Sequence, residues 1–168
     1  MALVDTLDYF PEHHPGRARL LGYLQSLADA VVAAQDDTYK GWRNIMDPGL
    51  EDRSGNYIES SASAMFVYGL LKSIRLGYIE GPQYEAAALS GYNLMTSVFL
   101  DKKASDNSLI WEWTAQTGSL SSNGTFEVNT PTQTISNERL LTPLTVLCKY
   151  QLIPERPQGS SSFLIFSV

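Results

Sequence analysis

Three stretches of this chain repeat apolar residues at helical spacing, each bounded by helix punctuation, and together they restrict the fold more than anything else in the sequence. The first runs from Pro15 to Gln35, where Leu20, Leu21, Leu24, Leu27, Ala28, Val31 and Val32 recur on one side. Pro15 suits a first helical position, where its missing N–H is not needed. The second runs from Tyr57 to Leu76, with Met65, Phe66, Leu70, Leu71 and Ile74 on its apolar face. Asn56 and Glu59 have the spacing of a capping box, and Gly77 follows the last turn as a C′ residue. The third runs from Pro82 to Leu100. The connection from Gly77 to Gly81 is short, so the second and third helices are expected to form an antiparallel αα-hairpin.

The remaining segments carry less pattern. Gly41 to Met46 reads as a brief extended piece and Asp47-Pro48-Gly49 as a turn. Leu109 to Thr114 alternates with period two and reads as a strand. Such a strand would carry Trp111 and Trp113 on one face, as a stacking platform or as a buried side. From Val128 onward no helical pattern is sustained. Pro131, Pro143, Pro154 and Pro157 are scattered through it, followed by Gly159-Ser160-Ser161-Ser162 and an apolar end.

Composition excludes several function classes. The chain has 168 residues, 43% hydrophobic and 11% aromatic, which fits a globular domain with one core. The formal charge is −6 and no basic cluster occurs, which argues against a nucleic-acid partner. No stretch is long and apolar enough for a bilayer span, and Met1 to Asp5 has no basic, apolar leader pattern. Cys148 is the single cysteine, so no internal disulfide framework is available. His13 and His14 are adjacent and poorly placed as joint ligands; no metal or cofactor is expected. No nucleophile elbow, P-loop or dinucleotide fingerprint is present.

Helical hairpins joined by Trp-bearing loops suit an α/α toroid, in which loops line a central cup. The blocks Gln35-Asp36, Gly41-Trp42, Asn56-Tyr57-Ile58-Glu59-Ser60-Ser61-Ala62-Ser63-Ala64-Met65-Phe66 and Ile74-Arg75-Leu76-Gly77-Tyr78 resemble glycoside hydrolase family 105. These are unsaturated rhamnogalacturonyl hydrolases, related to the unsaturated glucuronyl hydrolases of family 88. Trp111-Glu112-Trp113, Gly118 and Gly124-Thr125 resemble the Gly/Thr loop that follows in fungal members.

The resemblance implies an all-α fold, part of a six-hairpin (α/α) toroid with short extended segments. Residues 1–127 would be its carboxy-terminal part, and residues 128–168 a divergent, poorly ordered tail. It implies hydration of the double bond of a 4,5-unsaturated galacturonyl group by an Asp acting as acid and base. That Asp, with a His and an Arg, is expected before Met1, leaving no catalytic residue in this chain. The implied ligand is an unsaturated rhamnogalacturonan oligosaccharide or disaccharide. The alternative is a non-catalytic truncated product or a degenerate sugar-binding remnant.

Seven residues are singled out for substrate contact: Trp42, Glu59, Ser60, Trp111, Trp113, Gly124 and Thr125. Each has a structural alternative. Trp42 would otherwise pin its loop to the core, Glu59 would cap a helix with Asn56, and Ser60 would allow close helix approach. Gly124-Thr125 would be an ordinary turn. Asp5 and Asp8 read as solvated or helix-end residues rather than a catalytic pair.

Overall fold

The computed structural model describes residues 1–102, 105–106 and 108–115. Four α-helices appear in chain order: α1 Ala2–Tyr9, α2 Arg17–Ala33, α3 Ser60–Arg75 and α4 Pro82–Leu94. α4 runs on into a π-helical turn, Met95–Phe99, before two short strands, β1 Leu100–Lys102 and β2 Leu109–Trp111. The strands pair antiparallel, with Leu100 opposite Trp111 and Lys102 opposite Leu109. The expected all-α architecture with short extended segments is what the described residues show.

α3 and α4 form the predicted hairpin. Gly91 approaches Val67, while Leu94 and Ser63 both flank Gly41, so residue numbers rise along α3 as they fall along α4. The connection turns at Gly77, where φ is 67° and a side chain would be strained. The Gly77 amide donates to the Ile74 carbonyl at 3.0 Å and the Tyr78 amide to the Ser73 carbonyl at 2.8 Å. This is the Schellman pairing that satisfies the last carbonyls of a helix.

Helix ends depart from the sequence reading, each for a tertiary reason. α2 starts at Arg17 rather than Pro15, with Gly16 as N-cap residue. The Arg17 guanidinium turns back to donate to the Leu7 and Phe10 carbonyls, both at 2.8 Å, and so closes the end of α1. Gln35 lies beyond α2, and its amide donates to the carbonyls of Lys40 (2.8 Å) and Ala87 (2.9 Å). Past Leu94, the Thr96 and Ser97 hydroxyls donate back to the Tyr92 and Asn93 carbonyls, a competition that accompanies the π-turn.

The core lies between α2, α3 and α4, with Trp42 at its centre and Val4 and Leu7 of α1 added on one side. α1 is also fastened to α3 by charge. Lys72 Nζ donates to Asp5 Oδ1 at 2.7 Å and Asp8 Oδ2 at 2.6 Å, and Tyr68 donates to Asp5 at 2.7 Å. Asp5 and Asp8, read from sequence as solvated or helix-end residues, lie in the end turns of α1 and both pair with Lys72. Burial works against ionisation of Asp5, but the hydrogen bonds from Lys72 and Tyr68 outweigh it and hold its carboxyl below the usual value. Lys72 is raised despite burial because two carboxylates bond it.

Candidate functional site

The loop between α2 and α3 is built by its polar residues. Asp36 accepts from the Thr38 and Tyr39 amides at 2.9 and 2.7 Å and pairs with Arg43 at 2.8 Å. Burial alone would raise the Asp36 carboxyl, but those bonds and the Arg43 charge hold it below its ordinary value. The chain then runs extended beside residues 57–59: Asn44 donates to the Tyr57 carbonyl and Glu59 to the Trp42 carbonyl, both at 2.8 Å. Gly41 is forced by this crossing. A Cβ there would lie 2.3 Å from Ile58 Cγ2 and 2.6 Å from Leu94 Cδ2.

Trp42 lies in the core, the structural alternative of the two sequence readings. It has no exposed surface, its ring meets Phe66 edge-on at 5.4 Å, and Nε1 donates to the Val31 carbonyl at 2.7 Å. That carbonyl lies in the last turn of α2, where intrahelical partners run out. The indole N–H thus acts as a tertiary cap, and neither ring face is open to a ligand.

The predicted capping box is also rearranged. Glu59 is itself the N-cap of α3, with extended backbone at φ −89° and ψ 122°. Its carboxylate accepts from the Ser61 amide at 3.2 Å and the Ala62 amide at 2.5 Å. Asn56 instead exchanges two hydrogen bonds with Ile45 and donates to the Leu50 carbonyl, which fixes the Asp47–Leu50 turn.

Residues 113–115 are strapped onto this helix start. The Ser60 amide donates to the Trp113 carbonyl at 3.1 Å, the Ala115 amide to Glu59 Oε1 at 2.9 Å, and the Ser60 and Thr114 hydroxyls bond at 2.8 Å. All three leading amides of α3 are therefore occupied, and the helix start offers no open anion site. Glu59 and Ser60 are buried and their side-chain oxygens are engaged within the protein, which matches their structural alternatives.

The two tryptophans part company. β2 ends at Trp111, and Trp113 adopts φ 64°, so they do not share a strand face. Trp111 is half-buried against Phe99, with ring centroids 6.1 Å apart. Trp113 is 48% exposed and stands 6.2 Å from Tyr57, the rings inclined at 40°. Gly124 and Thr125 lie outside the described residues. Tyr57 and Thr114 were missed by the sequence reading. Tyr57 sits inside a quoted motif, but nothing local marks its ring as a partner of Trp113. Burial, reinforced by the nearby Glu59 charge, pushes the Tyr57 phenol up to about 12. Among the described residues no group of three His, Cys, Asp or Glu is placed to hold a metal, and no helix is long and apolar enough to cross a membrane.

A helical hairpin whose loops gather aromatic and hydroxyl residues at one end is a building block of the α/α toroids. The chain belongs to Glycosyl Hydrolase Family 88, whose family model matches residues 1–150, a span that passes Glu127. It superposes on a C. acetobutylicum glycoside hydrolase from family 105 with a TM-score of 0.69 at 30% identity, covering 77% of this chain and 36% of that one. A family 88 glycosyl hydrolase from Bacteroides vulgatus shares the fold, with a TM-score of 0.60 at 20% identity over 70% of this chain and 31% of that one. Protein Atu3128 of Agrobacterium fabrum is 38% identical over 100 residues, 58% of this chain. The chain spans 40% of that relative's length.

Proposed function

We propose that this chain is part of a pectin-degrading hydrolase that removes 4,5-unsaturated galacturonyl groups from rhamnogalacturonan fragments by hydrating the double bond. The observation that carries the reading is the family match over residues 1–150. In this reading the corner at the start of α3 forms part of the wall of the sugar cup. Trp113 supplies the ring face, Trp111 belongs to the same wall, and Gly124 and Thr125 are kept as substrate contacts on the family resemblance alone. Trp42, Glu59 and Ser60 hold the wall in place from behind.

The acid that protonates the alkene is assigned to the rest of the protein. Such an acid must keep its proton near working pH. Despite burial, Asp5 is held below its ordinary value by bonds from Lys72 and Tyr68, and Asp36 by the Tyr39 and Thr38 amides and Arg43. The Glu59 carboxylate is spent on two amides at the helix start, the Ser61 hydroxyl and the Ala115 amide. None of these is poised to deliver a proton.

A hybrid tests the proposal: this chain replaces the corresponding part of the C. acetobutylicum relative. The hybrid is given an unsaturated rhamnogalacturonyl disaccharide or an unsaturated glucuronyl one, and loss of the double-bond absorbance is followed. Faster consumption of the rhamnogalacturonyl substrate is expected. A preference for the glucuronyl substrate would reject the substrate assignment. Binding without turnover by the hybrid, beside an active relative, would favour a sugar-binding remnant.

A further inference from the structure

Trp113 has an unusual backbone for a residue of its size. At φ 64° it occupies the left-handed region, which bulky side chains rarely adopt. Such a conformation persists only where the surrounding structure over-determines it. Here the chain is fixed on both sides. Before Trp113, the Glu112 amide donates to the Phe99 carbonyl at 2.9 Å. From Trp113 onward, the bonds reach the start of α3. The Trp113 carbonyl accepts from the Ser60 amide at 3.1 Å, the Thr114 and Ser60 hydroxyls bond at 2.8 Å, and the Ala115 amide donates to Glu59 Oε1 at 2.9 Å. Between these fixed points the Trp113 ring is 48% exposed and stands against the Tyr57 ring.

The hydroxyl pair differs from the other bonds to α3. The Ser60 amide is one of the leading amides of the helix, and the Glu59 carboxylate caps it through the Ser61 and Ala62 amides. Both would be needed for the helix start whatever Trp113 did. The Thr114 hydroxyl has no part in that cap. Ser60 has no exposed surface, so water does not readily take the place of Thr114 beside it.

We propose that Thr114 is a positioning residue: its bond to the Ser60 hydroxyl locks Trp113 in the left-handed conformation and so sets the direction in which the Trp113 ring faces the sugar. The inference rests on the carbohydrate reading above and adds a residue that acts through Trp113. A ring used in this way contacts the substrate alike before and during reaction, so its displacement changes KM rather than kcat.

Three variants separate positioning from stability. Thr114→Val keeps the shape but leaves the buried Ser60 hydroxyl without that partner, so its Tm should fall. Thr114→Val combined with Ser60→Ala removes both hydroxyls, which is close to neutral for stability. Thr114→Ser keeps the bond. In the hybrid with the C. acetobutylicum relative, Thr114→Val and the double variant are each expected to raise KM for the unsaturated rhamnogalacturonyl disaccharide about three- to tenfold, the weight of one aromatic contact. Their kcat is expected to stay within about twofold of the parent hybrid, and Thr114→Ser to keep the parent KM. In the full chain labelled with fluorotryptophan, the Trp113 fluorine resonance, assigned by Trp113→Phe, is expected to move in both variants while that of Trp42 stays in place.

Recovery of KM together with Tm in the double variant would overturn the inference, because the hydroxyl pair would then serve packing alone. A fall in kcat at unchanged KM would overturn it too, as would a Trp113 resonance that stays in place without the Thr114 hydroxyl. A parent hybrid that consumes neither unsaturated disaccharide would instead reject the hydrolase reading, and the fluorine resonance of the full chain then decides the positioning role by itself.

Discussion

Trp42 gives the sharpest separation between a core residue and a sugar platform. Trp42→Phe keeps an aromatic ring but removes the donor that meets the Val31 carbonyl at 2.7 Å. Leaving a buried carbonyl unpaired costs about 1–3 kcal/mol. The smaller ring also leaves space beside Phe66 and above Gly91, whose added Cβ would lie 3.0 Å from Trp42 Cζ3. A loss of about 2–3 kcal/mol is expected for Trp42→Phe, and at least about 3–5 kcal/mol for Trp42→Ala, which empties the site. In a domain of this size the milder variant should lower Tm by roughly 10 °C. Thermal unfolding followed by circular dichroism measures both. If both variants melt within a degree or two of wild type while sugar affinity falls, Trp42 is a ligand platform and its assignment to the core is wrong.

Gly41→Ala should destabilise by about 1–3 kcal/mol, read from a urea midpoint, because its Cβ would run into Ile58 and Leu94 in the packed hairpin. Glu59→Gln preserves shape but turns one acceptor oxygen into an amide donor facing amides, so a loss of about 1–2 kcal/mol is expected. A red shift of Trp113 fluorescence should accompany it as the strap loosens. The pH dependence has a defined sign. Asp5 is held below its ordinary value of 3.8, so its stabilising contribution is present above that pH and disappears as pH falls through the folded-state value. Asp5→Asn should therefore flatten the acid side of the stability–pH curve. The Asp5 side chain is 37% exposed, so solvent screening keeps the effect within about 1 kcal/mol.

Local periodicity carried α2, α3, α4, the hairpin and the Gly77 turn, because each depends on residues a few positions apart, whereas α1 was not read from it. The helix ends did not follow, because their caps are tertiary. Arg17 closes α1, Asn56 serves Ile45 rather than α3, and Glu59 holds Ala115 as well as its own helix. The tie between Lys72 and Asp5 spans 67 residues and leaves no trace in any window of sequence. Period-two alternation placed Trp111 and Trp113 together, but alternation cannot see that the strand stops at Trp111 and that Trp113 turns left-handed. Residue type alone does not separate an aromatic that fills a core from one that faces a sugar. Trp42 and Trp113 sat on equal terms until burial divided them. Motif recognition found the family, and within the motifs Gly41 and Asp36 turn out to be loop architecture.

In the proposed function this chain supplies part of a sugar-binding wall without the acid that drives hydrolysis. The most direct measurement incubates the purified chain alone with an unsaturated rhamnogalacturonyl disaccharide and follows the double-bond absorbance, with ligand-observed NMR on the same sample. A detectable sugar contact and an absorbance trace indistinguishable from the no-protein control are expected. Turnover above that control by the chain alone would contradict the proposal.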